Sequence, residues 1–314
     1  MGVGFPPFAV PAEAKAAADA AAAAASQAAV AAMWPKDVSA ILEKAAEEGV
    51  QPPHPDVNNL PLTDRDRAVY KGYVNDTRPG DTQLFRLQGT EVSVSDMRKL
   101  APNVRLNDTL ITIYAMLLQM RADRTGQPVC ILPASWYTML VTKNGSGRGI
   151  PGAAKIQLSH WGKASGESAF GKATQNDIAT CNQAVWGVNR RVLVPVKEEG
   201  HAHWLMTAID VGRHRFSFYD SFLAHDSEVK QDRTKKVQGD IMEYLRAQMP
   251  ALGFHNWTSE IVRCPIQKGG TDCGVFMLHF LRCVAECRDP YMEQAGVGDM
   301  RVRLVLEIIN LIVL

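Results

Sequence analysis

The sequence predicts an α+β fold: a mostly antiparallel central sheet flanked by helices, with a nucleophile-type cysteine at the N-terminus of one helix. Three observations predict it. An apolar-periodic helix comes early, a series of short strands separated by turns follows, and apolar helical segments close the chain. Asn107 or Asp108 can cap the early helix, about Thr109 to Ala122. Its apolar side is Leu110, Ile111, Tyr114, Leu117 and Leu118. Val129 to Leu132 reads as a short buried strand, and residues 143 to 180 are rich in Gly, Ser and Lys without a clear period. Arg191 to Val196 is a strand, followed by the loop Lys197-Glu198-Glu199-Gly200. Two further strands are expected over His203 to Ile209 and His214 to Tyr219. A helix over Ser227 to Gln248 and a strand over Ser259 to Arg263 follow, then helices over Cys273 to Cys287 and Met300 to Ile312.

The chain has 314 residues, 46% of them hydrophobic, and a formal net charge of +1. That length allows one or two domains with a sizeable core. A near-neutral chain whose basic clusters are only pairs, Arg190-Arg191 and Lys235-Lys236, is not expected to bind nucleic acid. The cysteines at 130, 181, 264, 273, 283 and 287 form no CxxC pair and no secreted disulfide framework, so a reducing, intracellular compartment is expected. The start, Met1-Gly2-Val3-Gly4-Phe5-Pro6, has no basic n-region, and Pro6 stands where a myristoylation signal wants Ser or Thr. Residues 1–60 read as an Ala-rich low-complexity tail and linker, ended by Pro52, Pro53 and Pro55. Glu13, Lys15 and Asp19 make the alanine tract too polar for a bilayer span. The globular domain is expected over 65–314.

The chemistry centres on Gln267-Lys268-Gly269-Gly270-Thr271-Asp272-Cys273-Gly274, a Gly-rich turn and a cysteine opening an apolar helix. A helix N-terminus favours a thiolate, the nucleophilic form. A cysteine nucleophile needs a base and a group that orients the base. His203 opens one strand and Asp220 closes the next. A two-residue turn at Val211-Gly212 would set them directly opposite, where cross-strand Cβ atoms lie about 5 Å apart. That register pairs Leu205 with Phe218 and Thr207 with Phe216; a Gly212-Arg213 loop would shift it by two. The Cys273 N–H and the Gln267 amide are candidate oxyanion donors. Two metal alternatives arise, the His201/His203 pair and His279, Cys283 and Cys287 on one helix face. Neither has a complete ligand set, so no metal is expected.

The order His203-Trp204, Asp220, Gln267, Cys273-Gly274 resembles the ubiquitin-like-protein-specific (SUMO) cysteine protease family. Arg105-Leu106-Asn107-Asp108-Thr109 resembles that family's Trp-Leu-Asn-Asp segment, with Arg105 in place of the tryptophan. Ile131-Leu132-Pro133 with Trp136-Tyr137 looks like a substrate-facing segment, and Val192 to Val196 like the strand before the His. The resemblance spans roughly residues 85 to 314. It implies a thiol protease cleaving after the C-terminal Gly-Gly of a ubiquitin-like modifier, SUMO first, for precursor processing and/or deconjugation. His203, Asp220 and Cys273 would be catalytic and Gln267 the oxyanion donor. Trp204, Asn107, Asp108 and Trp136 would face substrate. The implied partners are the modifier and its conjugates, with no cofactor, no nucleic acid and no membrane, in the nucleus and/or cytoplasm. The alternatives are a deneddylating protease, an acetyltransferase of the related clan, or a non-catalytic modifier-binding module.

Overall fold

A computed structural model describes residues 61–142, 153, 182, 184–187, 190–198, 203–222, 224, 227–288 and 290–311. The Ala-rich segment 1–60, His201 and most of 143–189 lie outside the described residues. The described chain enters at α1 (Asp64–Val74), where Thr63 and Asp66 form a reciprocal capping box. A hairpin follows, β1 (Gln83–Leu87) and β2 (Thr90–Ser93), turning at Gln88 and Gly89 with φ of 47° and 82°. Positive φ at both turn residues matches the twist of paired strands. Ser93 then caps the single-turn helix α2 (Val94–Arg98). The hairpin and α2 are too short to show a period, so the sequence did not reveal them.

Helix α3 (Asp108–Arg124) starts at Asn107, whose side chain accepts the Leu110 N–H at 3.1 Å. That decides between the two candidate caps. β3 (Val129–Ile131), α4 (Ser135–Val141), β4 (Arg191–Glu198), β5 (His203–Asp210) and β6 (Arg215–Tyr219) follow. After them come α5 (Glu228–Gln248), a 3-10 turn (Pro250–Leu252), β7 (Thr258–Ile261), α6 (Cys273–Ala285) and α7 (Val297–Ile309). Helix α6 ends two residues before the expected Cys287, which takes φ of 56°.

The five strands β3 to β7 form one sheet in sequence order. The central pairs, β4–β5 and β5–β6, are antiparallel, whereas β3 runs parallel to β4 and β7 parallel to β6. The α+β class therefore stands, with a mixed sheet whose antiparallel part carries the site. One face of the sheet packs Trp204, Met206 and Ala208 against α3, α6 and α7. The other packs Leu205, Ile209, Phe216 and Phe218 against α4 and α5. The pleat's period of two divides β5 between the two cores.

The β5–β6 register is not that of a Val211-Gly212 turn; it is shifted by two, the shift expected of a Gly212-Arg213 loop. Met206 pairs with Tyr219, Thr207 with Phe218 and Asp210 with Arg215, so four residues make the turn. Val211 is fully buried, which removes it from the tip of a tight turn. A β-branched residue is also poorly suited to the positive φ such tips require. His214 takes the positive φ, 52°, and stacks on Trp257 at 5.0 Å between ring centroids. Asp210 Oδ1 accepts the Arg213 N–H at 3.0 Å. The slip is two residues, an even number, so every side chain keeps its face.

Helix α6 is buried along nearly its whole length; His279 alone among its residues is only partly so. Its flank carries charge: Arg282, 1% exposed, meets Glu307 of α7 at 2.8 Å, and Tyr114 of α3 donates to the same carboxylate at 2.7 Å. Burial, opposed by Tyr114, Glu307 and Glu286, leaves the Arg282 pKa raised, so the guanidinium stays charged. Breaking such a pair strands a buried charge. Arg282→Met is expected to cost about 3–5 kcal/mol in urea unfolding, and Arg282→Met with Glu307→Leu to be more stable than that single variant.

Candidate active site

Strand β5 begins at His203, and β6 ends one residue before Asp220. The two therefore meet beyond the end of the ladder rather than as a cross-strand pair. His203 Nε2 lies 2.8 Å from Asp220 Oδ1, and the side chains are 7% and 4% exposed. Asp220 Oδ1 also accepts the Phe222 N–H at 2.8 Å, and Oδ2 accepts Arg233 Nη1 at 2.7 Å. With Nε2 committed to the carboxylate, Nδ1 is the ring nitrogen left to interact with the thiol of Cys273.

Cys273 is the first residue of α6 and is buried. The first intrahelical bond runs from Phe276 N–H to the Asp272 carbonyl, so the N–H groups of Cys273, Gly274 and Val275 have no acceptor within the helix. The Asp272 side chain does not cap them. Its carboxylate is drawn away by Arg301 of α7 at 2.7 Å and by Gln294 at 2.9 Å. The helix N-terminus thus stays open to a developing negative charge.

Electrostatics favours an ion pair. Burial pushes the Cys273 thiol up, but the bond to His203 and the Trp204 and Gly274 backbone groups outweigh it and hold it below its ordinary value of 9.0. For His203, burial acts to lower the pKa, and the bonds to Asp220 and Cys273 raise it to about 9. Burial also opposes ionisation of Asp220, yet His203, the Phe222 N–H and Lys230 hold its carboxyl below the usual value.

Gln267 sits across the Gly-Gly turn, 7% exposed. Ser221 Oγ donates to its Oε1 at 2.8 Å, and the Gln267 N–H bonds the Ser221 carbonyl at 2.8 Å. That fixes the amide with Nε2 toward the loop, where it donates to the Gly269 carbonyl. Arg105 Nε holds the next carbonyl, that of Gly270, at 2.9 Å. On the other side of the cysteine, Gly274 packs on Leu106. A Cβ at 274 would lie 3.0 Å from the Leu106 Cβ.

Of the remaining expected residues, Trp204 and Asp108 are joined through Lys197. Its Nζ is 2.5 Å from Asp108 Oδ1 and 5.6 Å from the Trp204 ring centroid. Asn107 spends its side chain on the fold, capping α3 and donating to Asp96 Oδ1 at 2.6 Å. Trp136 needs correction: it is 0% exposed and packs edge-on to Tyr244 at 5.0 Å, so its ring has no surface to offer a substrate. His279 Nε2 faces the Tyr291 carbonyl at 3.1 Å and Cys283 Sγ at 3.5 Å. Sequence reasoning missed Ser221, Lys230 and Arg233. Lys230 and Arg233 are three apart on α5 and so share a face behind Asp220, a spacing visible in the sequence.

The profile described as the Ulp1 protease family, C-terminal catalytic domain, matches residues 105–313. The chain belongs to this family. A sentrin-specific protease of Caenorhabditis elegans is 32% identical over 120 residues, 38% of this chain and 16% of that protein. Ubiquitin-like-specific protease 1A of Arabidopsis thaliana is 23% identical over 219 residues, 68% of this chain and 38% of that protein. The chain therefore spans well under half the length of these relatives. The fold matches the C-terminal Ulp1 protease domain solved in complex with Smt3, the yeast ortholog of SUMO. There the TM-score is 0.59 and the identity 18%, covering 80% of this chain and 97% of that one.

Two outcomes are expected. Alkylation of Cys273 by iodoacetamide, followed against pH, should inflect below 9.0, and His203→Ala should move that inflection upward. Gly274→Ala should cost about 1–3 kcal/mol in thermal or urea unfolding, because the Leu106 Cβ at the root of the side chain cannot swing away.

Proposed function

We propose that the chain is a thiol protease that cleaves after the C-terminal Gly-Gly of a ubiquitin-like modifier, SUMO in the first place. It would act in precursor processing and/or release of the modifier from conjugates. The observation that carries this reading is the buried Asp220–His203 hydrogen bond together with Cys273, whose thiol pKa His203 holds below its ordinary value, at an open helix N-terminus. Membership in the Ulp1 family and the names of the relatives, sentrin-specific and ubiquitin-like-specific proteases, support the substrate class.

In this mechanism the Cys273 thiolate adds to the glycine carbonyl carbon. The oxygen becomes an oxyanion facing Gln267 Nε2 and the Cys273 N–H, donors placed before charge develops. The His203 imidazolium gives its proton to the departing amine as the C–N bond breaks, leaving a thioester. Water then loses a proton to His203 and attacks the thioester, and the C–S bond breaks to return the thiolate. The upper limb of activity falls near pH 9, where His203 loses the proton it must donate. Asp220 holds the imidazole by Nε2, so Nδ1 does the transfer. Trp204 is 2% exposed, so the surface we assign to the modifier tail is that of Lys197 and Asp108, which lie beside its buried ring. No metal or cofactor enters these steps. No described helix is long and apolar enough to cross a membrane, and we place the protein in the nucleus and/or cytoplasm, where reduced thiols persist.

A SUMO vinyl-sulfone probe should form an adduct on Cys273. Gln267→Ala should lower kcat on a SUMO C-terminal amide about 100- to 1000-fold. Adducts only with a neddylation-type probe would reassign the modifier, and no adduct with either would overturn the protease reading.

A further inference from the structure

Behind Asp220 stands a second ion pair that the reaction as written does not use. Arg233, on α5, has a side chain 9% exposed and bridges two carboxylates, Asp220 Oδ2 at 2.7 Å and Glu198 Oε2 at 2.9 Å. Glu198 ends β4 and pairs across the ladder with His203 itself. The guanidinium thus closes a ring of contacts, Glu198–Arg233–Asp220–His203, around the end of the two central strands. We infer that Arg233, anchored by Glu198, is a positioning residue for the Asp220–His203–Cys273 series.

The division of labour on the carboxylate carries the argument. Oδ1 takes His203 Nε2 and the Phe222 N–H, and Oδ2 takes Arg233. A carboxylate held at one oxygen can rotate about its Cβ–Cγ bond; held at both, it presents Oδ1 to the imidazole in one orientation. A planar guanidinium suits two carboxylates at once, which an ammonium does not. Arg233 also offsets two anions, the buried Asp220 and the partly exposed Glu198, that would otherwise go unbridged at the end of the sheet. Without it, Glu198 and Asp220 repel, and one of them gains affinity for a proton.

The other groups around Asp220 do not replace this contact. Lys230 Nζ, from the same helix, is bound to the Asp220 main-chain carbonyl at 2.8 Å. Cys264 Sγ, after β7, approaches that same carbonyl at 3.3 Å. His203 on β5 is the partner being positioned, Cys273 on α6 lies beyond it, and Glu198 on β4 is the opposing anion. Beside the His203 imidazolium on Oδ1, Arg233 is the cation on Asp220 Oδ2 among the described residues. With Arg233 gone, a carboxylate that rotates or takes up a proton supports the imidazolium less. The thiolate then loses stabilisation in turn.

The test reads the thiol directly, so it stands apart from the protease reading on which only its turnover arm rests. The rate of iodoacetamide alkylation of Cys273 is followed against pH in wild type, Arg233→Gln and Arg233→Lys, with circular dichroism and the thermal midpoint recorded for each. In Arg233→Gln the inflection should move up by roughly one unit, and in Arg233→Lys by less, since the charge remains and the bridge does not. On a SUMO C-terminal amide, Arg233→Gln should lose about 100-fold in kcat with KM little changed. If Arg233→Gln does not fold, the Arg233→Lys inflection decides. A folded variant whose inflection stays in place or moves to lower pH overturns the inference. Wild type that alkylates normally but turns over no modifier substrate removes the protease reading, while the shift in the variants still decides the role of Arg233.

Discussion

The site depends on keeping one buried carboxylate ionised. Asp220 is 3% exposed, and an unpaired carboxylate at that depth would take up a proton rather than remain charged. It stays charged because its oxygens meet an imidazole, a backbone N–H and a guanidinium. That charge holds His203 protonated to about pH 9, and a protonated His203 in turn favours the Cys273 thiolate. Each group in the series is buried and polar, so each relies on its neighbour for part of its stabilisation. Loss of one member raises the cost of all the others.

A second arrangement keeps the nucleophile's helix available. Asp is a strong N-cap residue, and at position 272 its carboxylate would ordinarily turn back onto the first N–H groups of α6. Arg301, 1% exposed on α7, and Gln294 take that carboxylate instead. The helix gives up a cap and keeps N–H donors beside the sulfur that have no acceptor within the helix. The same α7 carries Glu307, which anchors Arg282 on the flank of α6. The last helix thus fixes both the start and the side of the helix that presents Cys273, although none of its residues reaches the reacting atoms. Gly274 completes the arrangement by letting α6 approach Leu106 more closely than a side chain would permit.

The long elements were legible in the sequence because their signals are local. The apolar period of α3 and the mostly apolar runs of α6 and β5 each follow from how much of the element must be buried, and the structure places them within a few residues of expectation. The hairpin β1–β2, α2 and α4 are too short to carry a period. The turn after β5 was misjudged because Val211, read as a loop residue, is core. The face of every strand residue survived that error, since an even slip conserves it.

Residue types and their order were enough to nominate Cys273, His203, Asp220 and Gln267, because thiol chemistry needs a base, an orienting acid and an amide donor, and few positions offer them near a helix start. The sequence alone also settled which face of β5 and β6 each strand residue occupies. The tertiary structure decided how they meet. Asp220 reaches His203 beyond the end of its strand, Ser221 orients Gln267, and Arg233 comes from a helix on the opposite face of the sheet from α6. It also withdrew Trp136 from the surface and gave Asn107 to a helix cap. Contacts made across layers depend on packing and side-chain reach, which no local pattern in the chain encodes.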